Sequence, residues 1–198
     1  MRIIAGRWRS RRIFRPDTEE TRPMPDRVRE AVFGLLGSHY GTLGELPPLR
    51  VADVFAGSGS MGLEALSRGA VSCCFFERNR TALAALGRNL ESLQVGPEAT
   101  VIQGDAWASA IRDASGRAFD LVFLDPPYHD SQDVSRAGPV RRYLARWRRE
   151  ESVATLVILH HSRKAPYGLE VEESWRMMDE RRFGTSAITV FVRKAADA

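Results

Sequence analysis

The stretch VADVFAGSGSMGLEAL, Val51 to Leu66, decides the fold. It opens on small and branched apolar residues that suit a buried strand, breaks at glycines, and continues at helical spacing. Gly57, Gly59 and Gly62 form a G-x-G-x-x-G loop. Glycine lets the backbone turn sharply there and lets a ligand approach the N-terminus of the following helix. Glu77 stands 20 residues after Gly57, at the end of the next apolar run. An acid in that place can accept hydrogen bonds from ribose hydroxyls. The loop alone could be a tight turn. Strand before it, helix after it and the acid beyond point instead to a cofactor containing a nucleoside.

Outward from this loop, apolar runs alternate with helical patterns. Strands are expected near 50–55, 71–76, 99–103, 119–124, 153–160 and 185–193, with a weaker one around 172–179. Helices fit near 60–69, 79–95, 105–113 and 135–150. Such alternation predicts a Rossmann-like α/β fold, a seven-stranded mostly parallel sheet with helices on both faces. RRFGTS leaves no room for a crossover helix, so the last strand is expected to return antiparallel. Before the sheet, TRPMPDRVREAVFGLLG starts a helix at Pro25 and Asp26, with Val28, Ala31, Val32, Leu35 and Leu36 on one face. The proline-bearing connector GTLGELPPL marks the expected seam between an appendage over 1–45 and a main domain over 46–198.

Charge is unevenly distributed. The 198 residues carry a net charge of +4, and residues 1–15 hold six arginines and no acid. A cluster of this kind is the usual footprint of a polyanion partner. Within MRIIAGRWRSRRIFRP, arginines interleave with apolar residues, which suits a small β-hairpin lying along a phosphate backbone. Trp8 could stack on a base or pack the hairpin onto the domain. Cys73 and Cys74 are neighbours and the only cysteines, so neither a disulfide framework nor a zinc site is expected. The aliphatic runs are too short to cross a bilayer, and a cytoplasmic location is expected.

A second stretch carries the chemistry. In FLDPPYHD, Phe123 to Asp130, an apolar strand runs into an acid, two prolines and an aromatic. Two prolines end the strand and stiffen the chain beyond it, so Asp125 to Tyr128 form a fixed elbow. The elbow suits an exocyclic base amine, a poor nucleophile whose lone pair is delocalised into its ring. Asp125 and the Pro126 carbonyl can accept its N–H groups, and Tyr128 can stack on an extruded base. The plain alternatives are a strand-end cap for Asp125 and packing over the turn for Tyr128. VIQGDAW adds Asp105, able to accept from an adenine amino group, and Ala106, whose N–H can donate to the ring. Asp105 also suits a helix N-cap. Asp53, Glu77, Asp105 and Asp125 thus follow successive strands, and four acids in register on one sheet edge make a site.

DVFAGSGSMGLEALSRGA, FFERN, QGDA and DPPY resemble, in order and spacing, the motifs of class I S-adenosylmethionine-dependent methyltransferases. GRWRSRRI, TRPMPDRVREAVF and RRFGTSAITVF are similar to the RsmD family, which methylates a guanine N2 in small-subunit ribosomal RNA. The resemblance implies S-adenosylmethionine as cofactor, held by Asp53, Phe55, Ala56, Gly57, Ser58, Gly59, Gly62, Glu77, Arg78, Asp105, Ala106 and Asp125. It implies catalysis by Asp125, Pro126, Pro127 and Tyr128, without a metal. It gives Arg7, Trp8, Arg9, Arg11, Arg12, Arg22 and Arg27 to 16S ribosomal RNA, free or within an assembled or partly assembled small subunit. A monomer without membrane contact is expected. His160 and His161 depart from relatives, which often carry an acid near that place. The rivals are a DNA amine methyltransferase, a NAD-linked oxidoreductase and a non-catalytic RNA-binding assembly protein. Neither of the last two accounts for the glycine loop and DPPY together.

Overall fold

The computed structural model describes residues 1–16, 24–109, 112–146, 155–167 and 174–193. They fall into two compact units, Met1–Ala108 and Ser109–Ala198. The basic segment therefore shares its unit with the glycine loop.

In the first unit α1 spans Asp26–Tyr40, β1 Arg50–Val54, α2 Ser60–Ser67, β2 Ser72–Glu77, α3 Arg80–Ser92 and β3 Ala99–Gln103. α1 stops where Gly41 takes a left-handed conformation, φ 67°. β1 and β3 flank β2 in parallel, with Val51 opposite Cys73 and Cys73 opposite Ala99. Every residue of α2 is buried. A Cβ on Gly62 would come within 2.4 Å of the Phe75 ring and 2.5 Å of the Cys73 sulfur. Glycine there lets α2 lie close on β2.

The expected N-terminal hairpin takes a reduced form, a loop closed by one antiparallel bridge between Arg2 and Arg12. Ile3 N–H donates to the Arg11 carbonyl (2.9 Å) and Ile13 N–H to that of Met1 (3.1 Å). A longer ladder does not form because several donors of the segment go elsewhere. Ile4 and Ala5 N–H donate to the Glu64 carboxylate (2.7 and 3.0 Å), Trp8 N–H to Ser67 Oγ (3.0 Å) and Phe14 N–H to Asn89 Oδ1 (2.6 Å).

In the second unit β4 spans Leu121–Leu124, α4 Pro139–Ala145, β5 Leu156–Ser162, β6 Trp175–Phe183 and β7 Ser186–Arg193. β4 and β5 run parallel, while β7 is antiparallel to both β5 and β6. The strand order of the sheet is β3-β2-β1-β4-β5-β7-β6, seven strands with the last antiparallel, as expected from the sequence.

Two expected helices are shorter. Among the described residues of 105–113 a single 3₁₀ turn forms, at Ala106–Ala108. Asp113 explains the end of that expectation, since its Oδ1 accepts from Ser115 and Arg117 N–H and closes a turn. The helix expected over 135–150 begins only at Pro139, where proline costs no hydrogen bond. Residues 147–154 lie outside the described residues, as does Arg22.

Candidate active site

The first unit carries a loop whose acids are already engaged. Phe55 leaves β1 with φ 66°, and Gly57 and Gly59 follow at 57° and 80°. Asp53 is 2% exposed, and its Oδ2 accepts the Gly62 N–H at 2.8 Å. Its visible work is to fix the start of α2 from below. Glu77 is 9% exposed; Oε2 accepts from Gly57 N–H (2.8 Å), and Oε1 from the N–H groups of Arg78 (2.8 Å) and Asn79 (2.7 Å). A carboxylate has roughly four acceptor positions, so one on Oε2 is left for a ligand.

The two glycines differ in their surroundings. A Cβ on Gly57 would meet nothing within 4 Å, whereas one on Gly59 would press into Leu86 at 2.5 Å. Gly57 is thus required by its left-handed backbone and borders open space, whereas Gly59 also serves packing. Ser58 and Ala56 are buried, the Ser58 carbonyl accepting from Asn89 Nδ2 (2.9 Å) and Ala56 N–H donating to Phe76 (3.0 Å). Gly104 N–H donates to the Glu77 carbonyl (3.0 Å), bringing the end of β3 beside that of β2. Asp105 is exposed and caps the 3₁₀ turn through Trp107 N–H (3.1 Å), with Ala106 buried behind it. Trp107 meets Phe55 edge to face, ring centroids 4.8 Å apart. This aromatic pair beside the loop has no motif to announce it, and Trp107 escapes a reading that stops at the acid.

The second unit carries the elbow. The Pro127 carbonyl accepts from Asp130 N–H (2.9 Å) and Ser131 N–H (3.3 Å). Ser131 Oγ donates to the Tyr128 carbonyl (2.9 Å), and Tyr167 OH braces Ser131 in turn (3.0 Å). Among the described residues nothing donates to the Pro126 carbonyl. Tyr128 is 48% exposed, and its hydroxyl donates to the Thr185 carbonyl in the β6–β7 turn (3.0 Å). That bond fixes the ring, which a phenylalanine would leave free.

Asp125 is held by a residue to which the sequence assigns no role. His160 Nδ1 lies 2.8 Å from Asp125 Oδ1, the two side chains being 17% and 30% exposed. An ionised carboxylate only accepts, so Nδ1 carries the proton. Burial works against a charge on this imidazole, but the neighbouring carboxylate outweighs it and raises the His160 pKa above its ordinary 6.5. The adjacent His161 goes the other way. It donates from Nδ1 to the Ser162 carbonyl (2.9 Å), accepts at Nε2 from Thr189 (2.7 Å), and burial lowers its pKa. His129 stands in solvent beside Asp130 (3.1 Å).

The basic segment divides into anchors and exposed cations. Trp8 is 9% exposed with the Arg7 guanidinium 4.0 Å over its ring, and Arg7 also pairs with Glu98 (2.6 Å). Arg11 donates to the Ser92 carbonyl (2.7 Å). Arg9, Arg12, Arg27 and Arg78 are exposed. Arg2, Arg12 and Arg15 line a cavity of about 640 Å³ with Met1, Ser10 and Asp26. Arg29 is fully buried, paired with Asp26 (3.1 Å) and donating to the Arg2 carbonyl (2.6 Å). Fully buried Glu64 and Asn89 tie the segment down. Glu64 leaves one cue in the sequence, an acid inside the apolar run MGLEAL.

Among the described residues no group of three or more metal-binding side chains occurs, and no helix is long and apolar enough to cross a membrane. A seven-stranded sheet of this order, with an antiparallel β7 and a glycine loop followed by Glu77, defines the class I methyltransferase fold. The chain belongs to the RsmD family of S-adenosylmethionine-dependent methyltransferases; residues 1–192 match the family described as Conserved hypothetical protein 95. Ribosomal RNA small subunit methyltransferase D of Escherichia coli K12 is 31% identical over 196 residues, 98% of this chain and 91% of that protein. The putative rRNA methyltransferase YlbH of Bacillus subtilis is 36% identical over 67% of this chain and 69% of its own. The solved structure of the putative methyltransferase yhhF from Escherichia coli superposes with a TM-score of 0.77 at 29% identity, covering 99% of both chains.

Proposed function

We propose that this chain transfers a methyl group from S-adenosylmethionine to the exocyclic N2 of a guanine in 16S ribosomal RNA. The observation that carries the reading is the elbow after β4. Asp125 Oδ2 and the Pro126 carbonyl, both without a partner among the described residues, stand on a backbone stiffened by two prolines. These are two acceptors for the two N–H groups of an amine. Held by both, the amine turns its lone pair toward the incoming methyl group. The carboxylate also stabilises the positive charge that grows on nitrogen. Tyr128, ring exposed and hydroxyl tethered, is placed to stack on the extruded base.

When bound, S-adenosylmethionine supplies an electrophilic methyl group. Glu77 receives the ribose hydroxyls at its remaining acceptor position, Asp105 receives the adenine amino group, and Gly57 lets the backbone approach. Arg9, Arg12 and Arg27, exposed in the first unit, meet RNA phosphates. An sp² amine as acceptor follows from the elbow. Ribosomal RNA is supported by the names its relatives carry, and the choice of guanine N2 rests on the resemblance to the RsmD family.

The test is methylation of small ribosomal subunits from cells lacking this gene, with isotopically labelled S-adenosylmethionine and mass spectrometry of the digested nucleosides. The expected product is labelled N2-methylguanosine, absent with Asp125→Ala. Label on adenine N6 or cytosine N4, or on no RNA despite cofactor binding, overturns the reading.

A further inference from the structure

Among the described residues His160 is the one titratable group in contact with the Asp125 carboxylate, and the reaction as described makes no use of it. Its position is closely defined. It lies on β5, next to β4, opposite Ile188 of β7. Its Nδ1–H donates to Asp125 Oδ1 at 2.8 Å, while Nε2 is buried and has no hydrogen-bond partner among the described residues. A strand alternates its side chains, so His161 points to the other face and is held by Ser162 and Thr189. Beyond Ile188, on β6, stands Arg181, exposed and paired with Asp179. Glu180 is paired with Arg182. Asp125 therefore dominates the electrostatic surroundings of this imidazole.

We propose that His160 is a positioning residue for methyl transfer: it pins Oδ1 of Asp125, leaves Oδ2 for the acceptor amine, and makes activity depend on the imidazole being neutral. This rests on the assignment of Asp125 to the amine. A carboxylate at the end of a strand can rotate about χ2, and a hydrogen bond to one oxygen selects one orientation. Neutral His160 provides that bond through Nδ1–H without adding charge. Protonated His160 provides the same bond but puts a positive charge beside the carboxylate, opposing the positive charge that develops on the amine nitrogen. Since buried Nε2 touches no substrate, the whole effect passes through Asp125. No bond to His160 forms or breaks; the imidazole changes only its protonation with bulk pH.

Three variants and two readouts test this. With labelled S-adenosylmethionine and small subunits from cells lacking the gene, His160→Leu is expected to lower kcat at least tenfold with little change in KM for the cofactor. His160→Asn, whose amide N–H can reach the same oxygen, is expected to recover most of kcat and to lose the acid limb of the pH profile. Independently of substrate, NMR titration of the His160 ring is expected to show its pKa falling in Asp125→Asn. Unchanged kcat in folded His160→Leu, or an acid limb that persists in His160→Asn, overturns the proposal. If no RNA is methylated by the unaltered protein while the NMR coupling is intact, the assigned reaction fails and the pairing of His160 with Asp125 stands. If the NMR coupling is absent, the pairing itself fails.

Discussion

Asp53, Glu64 and Glu77 in the first unit and Asp125 in the second are all acids with little or partial exposure, yet they are held in opposite ways. The first three are 2%, 0% and 9% exposed, and each accepts from backbone N–H groups. Asp125 has a side chain 30% exposed and, among the described residues, a single imidazole as partner. Backbone donors do not titrate, so the hydrogen bonding around the first set does not change with pH. A histidine does titrate, so the acid at the elbow has an environment that can change. Cofactor loops need a rigid shape, whereas an acid facing a weak nucleophile benefits from a tuned charge.

The comparison breaks most visibly at Glu64. This carboxylate receives Ile4 and Ala5 N–H and pairs with Arg68 at 2.7 Å, all without solvent. Glu64→Ala leaves two N–H groups and a buried guanidinium without their acceptor, a cost of about 3–5 kcal/mol. Urea unfolding is the check, with limited proteolysis for release of the basic segment. A loss below about 1 kcal/mol means that the frame does not depend on this acid.

Asp125→Asn and Glu77→Gln then sharpen the contrast between tuned and fixed acids. The first is expected to lower kcat by about 10²–10³-fold while leaving cofactor affinity nearly unchanged. The second removes a charged acceptor from the loop and is expected to raise the cofactor Kd about tenfold or more, with kcat largely kept at saturation. Calorimetric titration with S-adenosylhomocysteine and single-turnover methylation separate the two. If both variants lose affinity and neither loses rate, the division of labour is wrong.

How much of this the sequence makes legible depends on what each residue answers to. The glycine loop, Glu77, Asp105 and DPPY read out directly, because tight turns, strand ends and paired prolines restrict residue types locally. The mostly parallel sheet follows from alternation, and the antiparallel β7 from the shortness of RRFGTS. The frame is less legible. Asn89 binds Phe14 and Ser58, 75 and 31 residues away, and Glu64 reaches back 60 residues to Ile4. No spacing rule announces such partners. His160 is opaque for the same reason: its neighbour Asp125 is brought to it only by the pairing of β4 with β5.

The two adjacent histidines give a smaller effect whose sign is fixed by their surroundings. His160, raised in the folded chain by its carboxylate, adds stability that is complete below its ordinary pKa near 6.5 and lost as pH rises through the raised value. His161, lowered by burial, adds stability that is present above 6.5 and lost as pH falls through the lowered value. His161→Gln is therefore expected to flatten the acid side of the stability profile, and His160→Gln the neutral-to-alkaline side. Urea midpoints measured from pH 5 to 8 decide it, and identical profiles for the two variants would contradict the opposed environments.

The smallest expected effect is at Tyr128, where the elbow meets the β6–β7 turn. Its hydroxyl donates to the Thr185 carbonyl at 3.0 Å from a ring 48% exposed. Removing one such exposed hydrogen bond costs about 0.5–1 kcal/mol at most. The stacking face remains in Tyr128→Phe, so kcat is expected to stay within about threefold, an energy below 1 kcal/mol. KM for the RNA should rise slightly, because an untethered ring must be ordered on binding. Tyr128→Ala, which removes the face itself, should cost far more, about 1–3 kcal/mol if a base stacks there. A Phe variant as damaged as the Ala variant would show that the tether, and not the ring, is what the acceptor needs. The elbow would then owe its shape to the turn that grips it rather than to its two prolines.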